Sequence, residues 1–388
     1  MYNIGTLNKI SPVGLGHLSD QYTVSEELDH ATGIIVRSAD MHEMDFPPEL
    51  LAIARAGAGV NNIPLDRCAE SGIVVFNAPG ANANAVKELV LAALLMDARN
   101  IPDALAWASG LKDDIAKTVE KGKKQFAGHE IAGKTLGVIG LGAIGVLVAN
   151  AAAGLGMKVR GYDPYISLKS AHELSPAIPV TDDLADLLPH CDYVTIHVPV
   201  TDDTKGMIDS RRFGQMKDGA VFLNFARGPL VNAEAMISAL KEGKIRHYVT
   251  DFPDDKIFGV DGVIATPHLG ASTAEAEDNC ATMAAEELMD YIENGSIRNS
   301  VNYPACSLGA RPANTLRVSI LNRNIPSVLS SITGLMAEEN VNIANMANAS
   351  KGDYACTLLD AEIPGGQREA IHEKIGAIDG VIRARILD

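Results

Sequence analysis

The sequence predicts an α/β protein with a doubly wound parallel sheet, followed by a smaller C-terminal module. Three observations support this prediction. Short apolar segments rich in valine and isoleucine alternate with helical patterns as far as Arg298. A glycine-rich stretch, GLGAIG, lies between one such segment and a helical pattern at residues 140–145. Beyond residues 299–312, NSVNYPACSLGARP, the order changes to strand, helix, strand, strand, helix, strand.

The first third of the chain contains four candidate strands separated by helical segments: Asn3–Leu7, Gly33–Arg37, Leu51–Ala54 and Ile73–Phe76. Apolar residues then recur with the 3.6-residue period of a packed helix over Ala85–Ala98. From Lys134 a second series of apolar segments begins, comprising TLGVIG, KVRGYD, YVTIHV, AVFLNFA, YVTDF and GVIATP. Such segments are typical of parallel strands that are buried on both faces.

The composition argues against several classes of protein. A chain of 388 residues is too long for one ordinary core, so we expect two or three domains. Its 33 basic and 49 acidic residues give a net charge of −16, which repels nucleic acids and anionic membranes. No apolar run reaches the ~18 residues of a membrane span, and the first residues, MYNIGTLNKI, show no basic region followed by a long apolar run, so we expect no secretion signal. The five scattered cysteines form no CxxC motif, so we expect a cytoplasmic protein with reduced thiols and no metal site.

The glycine-rich stretch predicts a Rossmann-type dinucleotide site. Gly140 permits a tight turn, Gly142 lets the backbone approach a pyrophosphate, and Gly145 lets the helix pack closely on the strand. Ala143 and Ile144 begin that helix, whose unpaired N–H groups face the phosphates. Asp163 ends the next strand segment, where a carboxylate accepts hydrogen bonds from ribose hydroxyls and repels a 2′-phosphate. We therefore expect NAD as the cofactor.

Two ionisable residues follow later strand segments: Arg227 in NFARGPLVN and His268 in ATPHLGAS. In a doubly wound sheet the carboxyl ends of the strands face the ligand. A neutral histidine can accept the hydroxyl proton of a 2-hydroxy acid, and an arginine can bind the substrate carboxylate. Taken alone, His268 could be a structural side chain, and the Arg227 segment could be a surface turn. Together, after a dinucleotide motif, they favour hydride transfer on a 2-hydroxy acid.

These segments make the chain similar to the D-isomer-specific 2-hydroxyacid dehydrogenases across nearly its whole length. The matching segments are AGAGVNN (56–62), NAP (77–79), GLGAIG (140–145), HVP (197–199), ARG (226–228), Asp251 and PHLGAS (267–272). The resemblance implies that Arg227 orients the substrate and that His268 is the acid/base. The further cofactor contacts that it implies are His197, Val198, Pro199, Phe225, Ala226, Asp251, Gly270 and Ala271.

The resemblance also implies a substrate and a domain arrangement. The expected substrate is D-3-phosphoglycerate, with Arg37 and Ser38 at its phosphate and the backbone of Ala58 and Gly59 at its carboxylate. An ordinary strand end is the alternative for the first pair, and Lys124 is a further candidate cation with a solvent-exposed alternative. We expect a discontinuous flavodoxin-like substrate domain at 1–95 and 283–302, an NAD-binding domain at 96–282, a linker at 303–314 and a regulatory module at 315–388.

One position departs from the family pattern. A glutamate usually pairs with the histidine, and this chain has Lys256 in its place. A carboxylate there stabilises the imidazolium that forms in the reaction, whereas a lysine opposes it. Either Asp255 or Asp254 takes the role through a shifted loop, with Asp255 preferred, or the histidine works without this partner.

The βαββαβ order of residues 315–388 predicts a ferredoxin-like module, and this segment resembles the amino-acid-sensing ACT domain. The resemblance implies Asn322, Asn324 and Asn342 as contacts for an L-serine effector, with a dimerisation module as the alternative. It also implies a homodimer or homotetramer. The expected reaction is NAD-dependent oxidation of D-3-phosphoglycerate to 3-phosphooxypyruvate in serine synthesis. The alternatives are a hydroxypyruvate or glyoxylate reductase, and a non-catalytic regulatory protein that responds to NAD(H).

Overall fold

The computed structural model describes Met1–Asp388 and divides into two compact units. The strands are β1 (Tyr2–Leu7), β2 (Tyr22–Ser25), β3 (Gly33–Val36), β4 (Ala52–Arg55), β5 (Val74–Asn77), β6 (Thr135–Ile139), β7 (Lys158–Tyr162), β8 (Val180–Thr181), β9 (Tyr193–Ile196), β10 (Ala220–Asn224), β11 (Ile245–Thr250), β12 (Val263–Ala265), β13 (Leu316–Arg323), β14 (Ile343–Lys351), β15 (Tyr354–Ala361) and β16 (Val381–Leu387).

The helices are α1 (Pro12–Leu15), α2 (Leu65–Glu70), α3 (Ala83–Ala98), α4 (Ile101–Ser109), α5 (Ile115–Gly122), α6 (Ala143–Gly154), α7 (Leu168–Glu173), α8 (Leu184–Leu187), α9 (Ser210–Gln215), α10 (Ala233–Lys241), α11 (Ala274–Asn294), α12 (Val328–Glu338) and α13 (Arg368–Gly376). No helix combines the length and apolar character that crossing a membrane requires.

The first unit comprises Met1–Asn82 and Ala274–Asp388. Its first part is a five-stranded parallel sheet in the order β2-β1-β3-β4-β5. Helix α11 packs on this sheet through small buried residues, Ala281, Ala284 and Ala285 among them. Because the strands are parallel, their carboxyl ends lie at one edge, where Val36, Arg55 and Asn77 are in register.

The C-terminal part of the same unit is an antiparallel sheet in the order β14-β15-β13-β16, which confirms the predicted βαββαβ module. Helices α12 and α13 cover one face, with Val318 and Ile320 in the core beneath them. The other face packs on the parallel-sheet part, where Leu321 and Leu358 belong to the same apolar cluster as Tyr291.

The second unit, Ala83–Thr273, contains a seven-stranded parallel sheet in the order β12-β11-β10-β9-β6-β7-β8. The chain starts at β6 in the middle, winds outward through β7 and β8, and then returns to β9 on the other side of β6. Two apolar clusters cover the two faces of the sheet. This is the predicted doubly wound topology, with its switch point between β6 and β9.

Most element boundaries differ from the predictions by one or two residues, a normal margin for strand and helix ends. Strand β11 begins three residues before the predicted segment YVTDF. The predicted strand Leu51–Ala54 is Ala52–Arg55, and the predicted helix Ala85–Ala98 is Ala83–Ala98. Strands β2 and β8 were not predicted, because both are short and polar. All five cysteines are buried and unpaired.

Candidate active site

The glycine-rich turn at the end of β6 has the shape that a pyrophosphate requires. Gly140 has a φ of +90°, and a Cβ there would lie 2.8 Å from the carbonyl oxygen of His197. A Cβ on Gly145 would lie 1.8 Å from the Gly140 oxygen, so only glycine fits at this position in the first turn of α6. Around Gly142 there is open space, and α6 starts at Ala143 without a side-chain cap. The free N–H groups of this turn therefore suit an anion.

Asp163 follows β7, the strand beside β6, as predicted for a ribose contact. Its Oδ2 accepts a hydrogen bond of 2.8 Å from Leu141 N, and its Oδ1 accepts one of 2.8 Å from Tyr165 N. These bonds fix the carboxylate beside the glycine-rich turn. Each oxygen keeps a lone pair that can accept from a hydroxyl group.

The segment His197–Pro199 follows β9, across the switch point from β6. His197 Nε2 lies 3.0 Å from Thr195 Oγ1, and its Nδ1 is buried without a partner in the chain. Burial lowers the pKa of His197 to about 3, so the imidazole stays neutral. An unpaired buried polar atom at the switch point fits a site that a ligand completes.

Arg227 lies at the carboxyl end of β10, on a turn that Asn224 holds. The Asn224 side chain accepts from the N–H groups of Ala226 and Arg227 and donates to the Arg227 carbonyl at 2.9 Å. The guanidinium donates to the Ala226 carbonyl at 2.7 Å and lies 5.9 Å from the ring centre of Phe252. Phe225 is buried beneath this turn, and the Arg227 side chain is exposed.

His268 follows β12 and contacts the same aromatic ring. Its imidazole lies 4.8 Å from Phe252, ring centre to ring centre, and its backbone is left-handed with a φ of +56°. A non-glycine residue in this region is uncommon and needs support from its surroundings. The structure brings His268 and Arg227 to the same phenylalanine, Phe252.

Asp251 supplies that support. Its buried carboxylate accepts hydrogen bonds of 2.7 Å from Thr266 Oγ1, Leu269 N and Gly270 N. These three donors flank His268 on both sides. Asp251 thus fixes the His268 loop, a role that the sequence did not reveal, while its predicted contact with the cofactor remains a prediction, as do those of Val198, Pro199 and Ala271.

The loop that contains Lys256 makes no side-chain hydrogen bond to His268. Lys256 Nζ lies 3.2 Å from Glu234 Oε1, and both side chains are largely exposed. Asp254 accepts from the N–H groups of Lys256 and Ile257 at 2.9 and 3.0 Å. The structure does not bring Asp255 into contact with the imidazole, so its role as the partner remains a prediction.

In the first unit, Arg37 follows β3 and Arg55 ends β4. Arg55 Nε donates to the Arg37 carbonyl at 3.0 Å, and Arg37 Nη2 lies 2.7 Å from Glu277 Oε1 on α11. A Cβ on Gly57 would lie 1.6 Å from Arg55 Nη1, so this guanidinium covers the glycine turn. Sequence reasoning missed Arg55; its signal was its place directly before AGAG.

The loop and turn around these arginines are firmly held. Asn8 Oδ1 accepts from the N–H groups of Ser38 and Ala39 at 2.8 Å each. Asn77 Nδ2 donates to the Ala58 carbonyl at 2.7 Å. The N–H groups of Ala58 and Gly59 have no backbone acceptor in the chain. Two free donors on a rigid turn are suited to a carboxylate.

The predicted effector residues are not gathered in one place. Asn322 and Asn324 lie near the carboxyl end of β13. Asn322 is buried, and its Oδ1 has no hydrogen-bond partner. Asn324 Nδ2 donates a hydrogen bond of 3.0 Å to the Gly352 carbonyl. Asn342 precedes β14 and bonds to Glu362 at 3.2 Å, beside the opposite end of β13. Lys124 is exposed, in a short 3-10 turn at Lys123–Phe126.

Comparison with known proteins identifies the family. Residues 91–270 match the model "D-isomer specific 2-hydroxyacid dehydrogenase, NAD binding domain". The chain is 35% identical over 370 residues to the D-3-phosphoglycerate dehydrogenase of Haemophilus influenzae, which spans 92% of this chain and 86% of that one. The chain belongs to the D-isomer-specific 2-hydroxyacid dehydrogenase family. Its cofactor is NAD and its class is oxidoreductase, as the motif and the strand-end residues predicted.

Other similarities agree with this membership. Residues 318–383 match an "AHAS small subunit-like ACT domain". The D-3-phosphoglycerate dehydrogenase of Methanocaldococcus jannaschii is 39% identical over 288 residues, 72% of this chain, and the chain spans 53% of that relative's length. The crystal structure of NAD+-bound 3-phosphoglycerate dehydrogenase of Entamoeba histolytica is 27% identical, with a TM-score of 0.62, and covers 78% of this chain and 98% of its own.

Proposed function

We propose that this protein oxidises D-3-phosphoglycerate to 3-phosphooxypyruvate with NAD, the first step of phosphorylated serine synthesis. The observation that best supports the substrate is the pair Arg37 and Arg55, beside a turn with two free N–H groups. A substrate with both a carboxylate and a phosphate needs two separate anion sites, and this edge of the sheet offers both kinds of donor.

The chemistry belongs to the residues at the ends of β10 and β12. His268 takes the hydroxyl proton from the substrate, and Arg227 binds its carboxylate and polarises the developing carbonyl group. When bound, NAD supplies the hydride acceptor. Asp251 keeps His268 in its left-handed conformation during the proton transfer.

The phosphate is assigned to Arg37 and Arg55, with Ser38 on the same loop, and the carboxylate to the backbone of Ala58 and Gly59. A guanidinium matches phosphate geometry through paired N–H donors. Asn8 and Asn77 hold the two backbone segments that present these groups.

Initial rates of NADH formation test this assignment, with D-3-phosphoglycerate compared with D-glycerate and D-lactate. Arg37→Ala and Arg55→Ala are each expected to raise KM for the phosphorylated substrate by about 10- to 100-fold, because a hydrogen bond to a charged group is lost. KM for D-glycerate should change little. Arg298→Ala, whose side chain is largely exposed, is the matched control. An equal loss for phosphorylated and plain hydroxy acids would contradict the phosphate assignment.

Asp255 is proposed as the partner that stabilises the protonated His268, after a change of side-chain rotamer. Its loop is exposed, so this movement meets little resistance. Asp255→Asn is expected to shift the pH–rate profile, and Asp254→Asn, which removes a loop cap, is the comparison. If neither variant alters the profile, His268 works without a carboxylate partner.

Regulation and assembly form part of the same proposal. We expect L-serine to bind to the C-terminal module across a two-fold axis, which would bring Asn342 of one copy to Asn322 and Asn324 of another. Strand β14 offers an open edge for this pairing. Helices α4 and α5 contain no buried residue and expose Leu105 and Ile115, which suits burial in a homodimer or homotetramer.

The serine proposal is tested by the rate of NADH formation with and without L-serine. A rate that falls when L-serine is added, but not in Asn342→Ala, would support serine as the effector. A rate that does not change with serine would contradict it. The cytoplasmic location remains a prediction.

A further inference from the structure

Arg37, the proposed phosphate-binding residue, already has an anionic partner within its own chain. Glu277 Oε1 lies 2.7 Å from Arg37 Nη2, with the two side chains 43% and 40% exposed. This geometry is that of a guanidinium bound to an anion. A half-exposed pair of this kind is weak, so a stronger anion can displace it.

The backbone that presents Glu277 is firmly seated. The next residue, Asp278, accepts a hydrogen bond of 2.5 Å from Ser11 Oγ. A Cβ on Gly14 would lie 2.4 Å from Ala281, so α1 and α11 are in close contact one turn further on. Because α11 cannot withdraw without breaking these contacts, the pair separates by rotation of the two half-exposed side chains.

Arg55 belongs to the same group of charges. It donates to the Arg37 carbonyl, and both arginines lie near Cys280, one turn along α11. Burial raises the pKa of the Cys280 thiol, Arg55 and Arg37 oppose that rise, and Glu277 adds to it. Arg37, Arg55 and Glu277 thus act on the same stretch of α11, and the carboxylate of Glu277 is paired with Arg37.

We propose that Glu277 is a specificity-determining residue that competes with the substrate phosphate for Arg37. This inference rests on the proposed function, since it takes Arg37 as the phosphate-binding group. A phosphate dianion forms a stronger paired interaction with a guanidinium than one carboxylate does, so it displaces Glu277. A substrate without a phosphate leaves the Arg37–Glu277 pair intact. Glu277 therefore weakens the binding of phosphorylated substrates and leaves that of plain hydroxy acids unchanged.

The test is Glu277→Gln in the chain of residues 1–388, with two separate measurements. The first is KM for D-3-phosphoglycerate and for D-glycerate. The second is the Kd of inorganic phosphate by calorimetry, without NAD or substrate. Removing the competitor is expected to lower the KM for phosphoglycerate and the Kd of phosphate by about three- to tenfold each, with less effect at high salt. KM for D-glycerate should stay within twofold of its original value, as an order-of-magnitude expectation.

Glu275→Gln is the matched control, since Glu275 is an exposed glutamate in the same first turn of α11. This control makes the same charge change. It should leave the KM for D-3-phosphoglycerate and the Kd of inorganic phosphate unaltered. Glu277→Gln should also lose its effect when combined with Arg37→Ala. If the Kd of inorganic phosphate for Glu277→Gln is unchanged or higher, the inference is overturned.

The two measurements separate this inference from the proposed function. Tighter phosphate binding by Glu277→Gln, in a protein that oxidises no phosphoglycerate, would support the competitor and refute the assigned reaction. Normal turnover by the unaltered protein, with Glu277→Gln and Glu275→Gln giving equal changes, would support the reaction and refute the competitor.

Discussion

The Asp251 carboxylate fixes the loop that contains His268, and its replacement separates a positioning role from a cofactor contact. Asp251→Ala removes three hydrogen bonds of 2.7 Å and leaves Leu269 N and Gly270 N without their acceptor. Each unsatisfied donor costs about 1–3 kcal/mol, so the two together cost the loop roughly 2–6 kcal/mol of local stability. That loss releases His268 from its left-handed backbone conformation at φ +56°.

Asp251→Asn is a milder change. The asparagine oxygen keeps the bonds from Thr266 and Leu269, but its amide nitrogen faces the Gly270 N–H, donor against donor. One bond is then lost, at a cost of about 1–3 kcal/mol. A displacement of about 1 Å at an acid/base can lower a rate by roughly 100-fold. We expect kcat to fall about tenfold for the asparagine variant and about 100-fold or more for the alanine variant.

The assay measures kcat for D-3-phosphoglycerate and the Kd of NAD in the same preparations. A positioning role predicts a lower kcat with an NAD Kd close to that of the unaltered protein. A direct contact with the nicotinamide predicts a weaker Kd as well. Asp261→Asn, an exposed aspartate before β12, is the control. An asparagine variant with kcat within about twofold of the original would show that Asp251 does not position His268 for catalysis.

Three further predictions follow from other parts of the structure. Arg385→Ala removes donation to the Tyr291 and Ile292 carbonyls and a cation–π contact of 5.0 Å, so the free energy of unfolding in urea should fall by about 2–3 kcal/mol. Burial raises the pKa of Glu287 to about 7, so the folded state holds its proton more tightly and stability falls as pH rises from ordinary glutamate values to 7. Glu287→Gln should therefore be up to about 3 kcal/mol more stable than the original at pH 8 and no more stable near pH 4.5, in thermal melts at both pH values; equal melts at pH 8 would contradict this. Asp163→Ala should raise KM for NAD about tenfold and reduce the preference for NAD over NADP in kcat/KM ratios.

Periodicity and turn chemistry predicted most of the fold. The segment TLGVIG forms β6 followed by the glycine turn. It could be predicted because the residues of the segment itself determine the strand, the positive φ at Gly140 and the close approach at Gly145. The helix predicted over Ala85–Ala98 formed because its apolar residues share one face. Polar edge strands such as β2 lack a comparable local signal.

Relations between distant segments could not be predicted in the same way. Arg55 joins Arg37 only through the parallel register of β3 and β4, which the sequence does not state. The hydrogen bonds of Asp251 depend on how the loop after β12 turns back. The packing of the C-terminal sheet on Tyr291 depends on how the surfaces of segments far apart in the sequence fit together. The separation of Asn342 from Asn322 depends on the same long-range packing.

The proposed function assigns the oxidation of a phosphorylated 2-hydroxy acid to His268 and Arg227. The most direct measurement is kcat/KM for NADH formation from D-3-phosphoglycerate, by the unaltered protein and by His268→Gln. We expect turnover that prefers phosphoglycerate over D-glycerate. In the variant we expect kcat to be lower by about 100- to 10,000-fold, with NAD binding retained. A protein that binds NAD yet oxidises none of these acids, or a variant as fast as the original, would contradict this assignment.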